Sequence, residues 1–306
     1  MATDQTAQTG AARSTPRRGA AAVALGQVPL RTLVSRAVYV ALLIGFTILF
    51  VYPFVWLISA SLKPGAEVFS RDIIPDPIVF ENYPRLFELV PRFPQWAYNS
   101  VVVSLLAAST VTVSSALVAF AFAYFRFPGR NVLFGVLLAS MMLPGVVTMI
   151  PTFLIWDALG FYDTLTPLWA GNLFASPFYV FLLRQFFLGL PRELFEAARV
   201  DGASYLRMWW TIAMPLTRPA LIVVFVFELK AAWTDLFKPL IFLRDQGLFT
   251  LSRGLKAVID NPAIGGAKEW ELLAAAGVIT TIPMIIVFFL GQRYFIEGIA
   301  TTGSKG

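Results

Sequence analysis

The sequence predicts an all-α integral membrane protein with six transmembrane helices. Three observations carry that expectation. The chain has 306 residues, of which 58% are hydrophobic and only 14% charged, against about 25% charged in a soluble domain. Its mean hydropathy is +0.71. Its apolar residues fall into six runs long enough for a bilayer core, which takes about 20 residues of helix. With so little polar surface, a large soluble enzyme is excluded. The chain has no Cys and no His, which removes disulfides, thiolate chemistry, imidazole metal sites and histidine proton relays together.

Residues 1–36 read as a low-complexity tail with Arg13, Arg17, Arg18, Arg31 and Arg36 against a single Asp4. The apolar run that follows is too long for a signal-peptide core, so the tail is expected to be a disordered, basic, cytoplasmic arm. Residues 37–306 form the predicted six-helix body. Its spans are expected at 38–62, 98–125, 132–155, 166–188, 216–243 and 272–296. Pro53 lies in the first, Pro144 and Pro151 break the third, and Pro177 lies in the fourth. Proline within a span is tolerated where a cavity or a neighbouring helix satisfies the freed carbonyl. The last three prolines therefore suggest a protein-lined pathway, with simple packing kinks as the alternative.

Charge sets the expected orientation. Arg126 and Arg130 follow the second span, and five arginines lie between Arg184 and Arg218. These segments are placed inside with the tail. The loop with Asp157 and Asp163 has no Lys or Arg and is placed outside, as are the mixed-charge loops at 63–95 and 244–271. Both termini are then expected to be cytoplasmic.

One charged segment interrupts this membrane-like chain at 191–219. Its central part, EAARVDGASYLRMWWTIAMPLTRP, reads as helix, glycine turn, helix and proline break. Gly202 supplies a positive φ for the turn, and Pro215 and Pro219 lack a backbone donor. Glu196, Ala197, Ala198, then Gly202 after three residues, then Ile212 after nine, then Met214-Pro215, resembles the EAA loop of ABC importer permeases. Asp201 and Ala203 complete the DGA form of its carbohydrate-uptake members. Met214 replaces their usual Leu, a swap that conserves volume and apolarity.

The resemblance runs over about residues 37–306, with the ABC transmembrane core at about 94–297, and is to maltose-transporter-type permeases. Ser61-Leu62-Lys63-Pro64 resembles their SLKP, Glu81-Asn82-Tyr83 their ENY, and Asn99-Ser100 the NS opening the second span. Phe127–Arg130 resembles their short basic turn. Trp233–Leu243 resembles their WNDFxxPLIFL, with Thr234 in place of Asn and Lys238 in place of an apolar residue. Gln292–Phe295, Glu297–Ile299 and Lys305-Gly306 resemble their C-terminal signature.

The resemblance implies the type I ABC importer permease fold and a bacterial or archaeal plasma membrane. It implies a second homologous permease, an ABC ATPase dimer and an extracellular or periplasmic solute-binding protein as partners, with no nucleic acid. No cofactor is expected on this chain, because it has no Gly-x-x-x-x-Gly-Lys-Ser/Thr and Gly265–Lys268 is too short for a phosphate loop. ATP and Mg are expected on the partner ATPase. Glu196 is expected to accept a donor from that ATPase, with Ala197, Ala198 and Gly202 allowing close docking and Leu194, Val200 and Tyr205 as apolar anchors. The alternative for Glu196 is an acid that stabilises its own helix terminus.

Charge inside the fifth span is expensive. Glu228 and Asp235, seven positions apart, share a face of a continuous helix, and Lys238 is within reach of Asp235. The expectation is a polar patch lining a pathway, with Glu228 facing it and Trp169, Asn172, Trp233 and Asp235 at plausible depth. An Asp235–Lys238 pair near the outer interface is the structural alternative. Two other functional classes fit the sequence less well. An ion-coupled carrier using Glu228 and Asp235 would leave the EAA loop unexplained and shows no inverted repeat. An intramembrane enzyme lacks a nucleophile motif.

Overall fold

The computed structural model describes residues 30–261 and 269–303. Residues 1–29 of the predicted tail, Gly265–Lys268 and Lys305-Gly306 lie outside the described residues. The chain divides into two units at Pro53, and each is described by itself.

Helix α1 (Leu30–Ser61) carries Pro53 within it. It begins at Leu30, so residues 30–36, read from sequence as tail, are helical. Leu30, Leu33 and Val34 continue the apolar character of the span backwards, and arginine is a good helix former. In the second unit follow α2 (Asn82–Leu89), α3 (Phe93–Tyr124), α4 (Arg130–Ser140), α5 (Gly145–Ala158), α6 (Thr166–Trp169), α7 (Pro177–Leu188) and α8 (Arg192–Val200). Then come α9 (Tyr205–Met208), α10 (Met214–Leu216), α11 (Arg218–Thr234), α12 (Phe237–Phe242), α13 (Leu251–Asp260) and α14 (Trp270–Gly303). No strand occurs among the described residues.

Among the described residues three helices are long and apolar enough to cross a membrane, and three bent pairs bring the count to as many as six. The expected third span is a bent pair: α4 and α5 meet at 100°. Pro144 is extended at the bend; it has no N–H to continue the helix ladder, and its ring disfavours helical backbone at Leu143 before it. The fourth span is interrupted as well. A 3₁₀ turn, Ala170–Phe174, leads to Ala175 at φ 65, ψ 169 before Pro177 opens α7. The fifth span stops at Thr234, where Asp235 turns extended, and resumes as α12.

Helix α3 is the post around which the second unit packs. At 32 residues it is about 48 Å long. Its small residues, Ala107, Ala108, Ser115, Ala116 and Ala119, are buried and let α7 and α11 approach closely, as small residues do between membrane helices. Its first half joins one core with Leu168, Trp233, Phe242, Phe249 and Leu272. Its second half joins another with Val180, Leu183, Phe195, Met208 and Val224.

The short sequence signatures meet in pairs across the fold. Asn82 donates both to the Ser61 carbonyl and to the Lys63 carbonyl, each at 2.9 Å, and the Tyr83 hydroxyl lies 2.9 Å from Ser61 Oγ. Lys63 is 2% exposed. Its ammonium donates to the Ser70 hydroxyl at 3.1 Å and to the Ser70 and Asp72 carbonyls, so a buried cation is satisfied by three oxygens. Asn99 donates to the carbonyls of Gly247 and Phe249, and Ser100 Oγ accepts the Leu251 N–H. Trp233 donates to the Thr280 carbonyl at 3.2 Å. The Asn82 and Asn99 amides and the Ser100 hydroxyl satisfy backbone groups at helix ends and in loops.

Candidate functional site

The loop between α7 and α11 begins with an 80° turn between the fourth span and α8. Pro191 precedes the first turn of α8, where a missing donor costs nothing. Glu193 is the acid of that first turn and Arg199 the base of the last, the placement that the helix dipole favours. Glu196 sits in the middle of the helix, so Glu193 rather than Glu196 is the acid that offsets the terminus.

The helix ends in a Schellman turn. Ala203 N–H reaches the Ala198 carbonyl at 2.9 Å and Gly202 N–H the Arg199 carbonyl at 3.0 Å. Gly202 holds φ +79 and has open space around it. Its glycine is therefore required by backbone conformation, and not by a close neighbour within this chain. Ser204 then caps α9 by accepting the Arg207 N–H. A π-helical turn, Trp209–Ala213, follows, two residues ahead of Pro215, which cannot donate to the helix ladder. The segment Tyr205–Leu216 meets α11 at 83°.

This loop has two faces. Phe195 is 4% exposed and packs between Phe120 (5.8 Å) and Tyr124 (5.4 Å) at the C-terminal end of α3. Ala198, Ala203, Ile212 and Met214 turn towards the same core. Tyr205 stacks edge-on against Phe125 at 4.9 Å, and the Arg199 guanidinium lies 4.9 Å over the Tyr205 ring. The other face carries Leu194, Glu196, Ala197, Asp201, Gly202 and Leu206, all exposed, and Val200, which is 89% exposed. The motif thus splits. Ala198, Ala203 and Ile212 pack the loop onto the rest of the chain, while Glu196, Ala197, Asp201 and Gly202 face away from it. Pro215 is exposed beyond the π turn.

Sequence reasoning passed over Phe195, Tyr124 and Phe125, which anchor the loop. The signal was present, since Phe195 is an aromatic residue set within a charged helix.

The residues proposed for a pathway do not form one group. The Asn172 amide donates to Glu228 at 2.6 Å and to the Ala107 carbonyl at 3.1 Å. The Tyr179 hydroxyl lies against the same carboxylate. Ser114 Oγ donates to the Asn172 carbonyl at 2.7 Å, and Ser115 Oγ accepts the Ser176 N–H at 3.0 Å. Glu228 thus belongs to a polar knot around the break in the fourth span. Trp233 is buried in the core, and Trp169 is half-buried beside that break.

Asp235 does not continue a helical face from Glu228, because α11 ends one residue earlier. Its carboxylate accepts the N–H groups of Phe237 (2.9 Å) and Lys238 (3.3 Å), an Asx-type turn. Among the described residues no ion pair joins Asp235 to Lys238. The shared patch expected from a continuous helix is therefore replaced by two separate polar sites. No group of acidic or metal-binding residues suited to a metal ion occurs among the described residues.

A helical body with spans of membrane-crossing length and a short amphipathic helix between the fourth and fifth of them is the architecture of a membrane permease. Residues 113–301 match the family described as binding-protein-dependent transport system inner membrane component, and the chain belongs to that family. It is 32% identical over 264 residues to the arabinooligosaccharides transport system permease protein AraQ of Bacillus subtilis, covering 85% of this chain and 92% of AraQ. It is 33% identical over 269 residues to the sn-glycerol-3-phosphate transport system permease protein UgpE of Yersinia enterocolitica, covering 85% of this chain and 94% of UgpE. Its fold matches a chain of a bacterial ABC transporter involved in the import of the acidic polysaccharide alginate. The TM-score is 0.77 at 27% identity, over 87% of this chain and 98% of that one.

Proposed function

We propose that this chain is one of two permease subunits of an ATP-driven importer of carbohydrates or their phosphorylated relatives, with α8 as the helix that receives movement from a separate ATPase. The observation that carries the reading is the pairing of faces on α8: Phe195 locked onto α3, and Glu196, Ala197 and Val200 presented outwards. A helix fixed on one side and bare on the other suits a lever. Glu196 accepts a basic or backbone donor of the ATPase. Val200 and Leu194 enter an apolar groove there, and Ala197 lets the surfaces close.

Force on α8 passes through Phe195 and Tyr205 to the end of α3, the post around which the second unit packs. Moving a two-state equilibrium from 1:99 to 99:1 takes about 5.5 kcal/mol of differential binding. The contact with the ATPase must supply energy on that scale. ATP and Mg reside on the ATPase dimer, and a second permease completes the pathway. A solute-binding protein delivers the substrate from the far side, and both termini of this chain lie on the cytoplasmic side with α8. The arabinooligosaccharide, glycerol phosphate and alginate systems of the relatives support the substrate class.

The experiment is ATP-dependent uptake into proteoliposomes holding the assembled complex, with wild type compared to Glu196→Lys. Lost uptake with the ATPase still bound or still hydrolysing supports the lever. Undiminished uptake sinks it. An ion-coupled carrier would take up solute without ATP and respond to a proton or sodium gradient.

A further inference from the structure

The charges of the fifth span point in two directions. Glu228 turns inwards to Asn172 and Tyr179. Lys230, two positions on, is rotated by about 200° on the helix and is exposed. Among the described residues no hydrogen bond or ion pair reaches its ammonium. It is not alone on that face. Phe227, Lys230, Ala231 and Thr234 recur at helical spacing and are all exposed. Beyond the break Phe237 and Lys238 are exposed as well. The Lys238 ammonium also lacks an acidic partner among the described residues. Beside Lys230, between α11 and α14, opens a groove of about 580 Å³ whose walls include Phe227, Met284, Phe288 and Gln292.

Three occupants can cover such a face. Lipid is disfavoured, because an unpaired ammonium twelve residues into a spanning helix is costly in hydrocarbon. A flat protein interface is disfavoured, because lysine is depleted at the cores of interfaces. A hydrated solute with negative charge fits best. Lysine supplies a mobile point charge for a carboxylate or phosphate. Exposed phenyl rings supply an apolar surface for the C–H faces of a sugar, and pockets of a few hundred Å³ or more hold ligands of that size.

We infer that Lys230 on α11, beside this groove, binds the negatively charged group of an anionic carbohydrate, a uronate or a sugar phosphate, as it crosses, with Lys238 on α12 as a second cation further along the same span. This rests on the importer reading given above and narrows its substrate class. Lys230 and Lys238 act as specificity-determining residues. A neutral oligosaccharide of the same size leaves both ammonium groups without a counter-charge.

The test uses the full complex with its binding protein in proteoliposomes. The probes are trigalacturonate and uncharged galactotriose, with glycerol 3-phosphate against glycerol as a smaller pair. Wild type is expected to prefer the charged member of at least one pair. Lys230→Gln or Lys238→Gln should lower uptake of that member about tenfold, the scale of one lost charge-assisted hydrogen bond, with the neutral probe little changed. Lys230→Arg should restore most of it.

A second readout guards against a misfolded variant. The chain contains no cysteine, so Lys230→Cys gives a single thiol on this subunit. It should react with a water-soluble methanethiosulfonate reagent and be protected by the charged probe. A thiol that never reacts lies against lipid or the second permease, and that overturns the inference. So do wild-type uptake without regard to charge, and variants that lose charged and neutral probes alike or lose the second permease on purification. No ATP-dependent uptake of any probe by wild type is a different failure, which sinks the importer reading itself.

Discussion

Asn172 donates its amide to the Glu228 carboxylate across 2.6 Å, tying the turn before α7 to the middle of α11. The same amide holds the Ala107 carbonyl of α3, so three elements meet at one side chain. Truncating Glu228 to Leu leaves a polar knot with one acceptor missing, and should cost about 1–3 kcal/mol of stability. Glu228→Gln keeps an oxygen in place and should cost less. Thermal unfolding of the purified complex in detergent measures both. A Glu228→Gln variant with unchanged melting and altered solute preference would instead place Glu228 in the pathway, as expected from sequence.

Phe195 and Glu196 are neighbours with opposite tasks, and their variants should separate stability from coupling. Phe195→Ala removes a ring packed against Phe120 and Tyr124, a loss of about 3–5 kcal/mol. Glu196→Lys lies on the exposed face and should change stability by no more than about 0.5 kcal/mol, while uptake fails. Melting curves and uptake rates of the two variants, taken together, check the division. A Glu196→Lys protein that melts as early as Phe195→Ala would contradict it.

Two glycines should respond to alanine for different reasons. Gly202 has room for a methyl group but holds φ +79, so Gly202→Ala should cost about 1–2 kcal/mol of left-handed strain. Gly254 lies under the indole of Trp96, where an added Cβ would come within 2.1–2.6 Å of ring carbons. Trp96 is itself held by its bond to the Gln246 carbonyl at 2.7 Å, so it cannot swing aside freely. Gly254→Ala should therefore destabilise by overpacking, by about 1–3 kcal/mol or more. Limited proteolysis of the loop at 246–251 would report the second, and cleavage near Gly202 the first.

Acid should loosen a tie between two loops. Asp163, at φ 55, accepts the N–H groups of Arg244 (2.8 Å) and Asp245 (3.0 Å). Those backbone donors, first Asp245 and then Arg244, hold its carboxyl below the ordinary carboxylate range. A lowered native pKa means that the contribution is complete above the unfolded value, near 3.9, and fades as pH falls through the lowered native value. Proteolytic sensitivity of the 159–165 and 243–248 loops should rise in that acid window. Asp163→Asn should make it independent of pH there; a variant with the wild-type acid response would assign the effect elsewhere.

The sequence by itself determined the membrane class, the apolar segments and the place of the charged loop at 191–219. Hydropathy is a sum over residues, and a bilayer reads that sum directly. The turn at Gly202 was legible because its backbone chemistry is local. Tertiary structure decided the rest. The break at Pro144 was legible in the sequence, but its 100° angle, the break at Ala175 and the end of α11 before Asp235 were not, because they depend on how the surrounding helices pack. That is why Glu228 and Asp235, one helical face apart in sequence, belong to different sites. The short signatures acquired meaning only when folded. Asn82 serves carbonyls 19 and 21 residues away, and Ser100 an N–H 151 residues away. A buried side-chain amide takes whichever backbone groups the ladder leaves unpaired, and no periodicity in the chain announces where those will be.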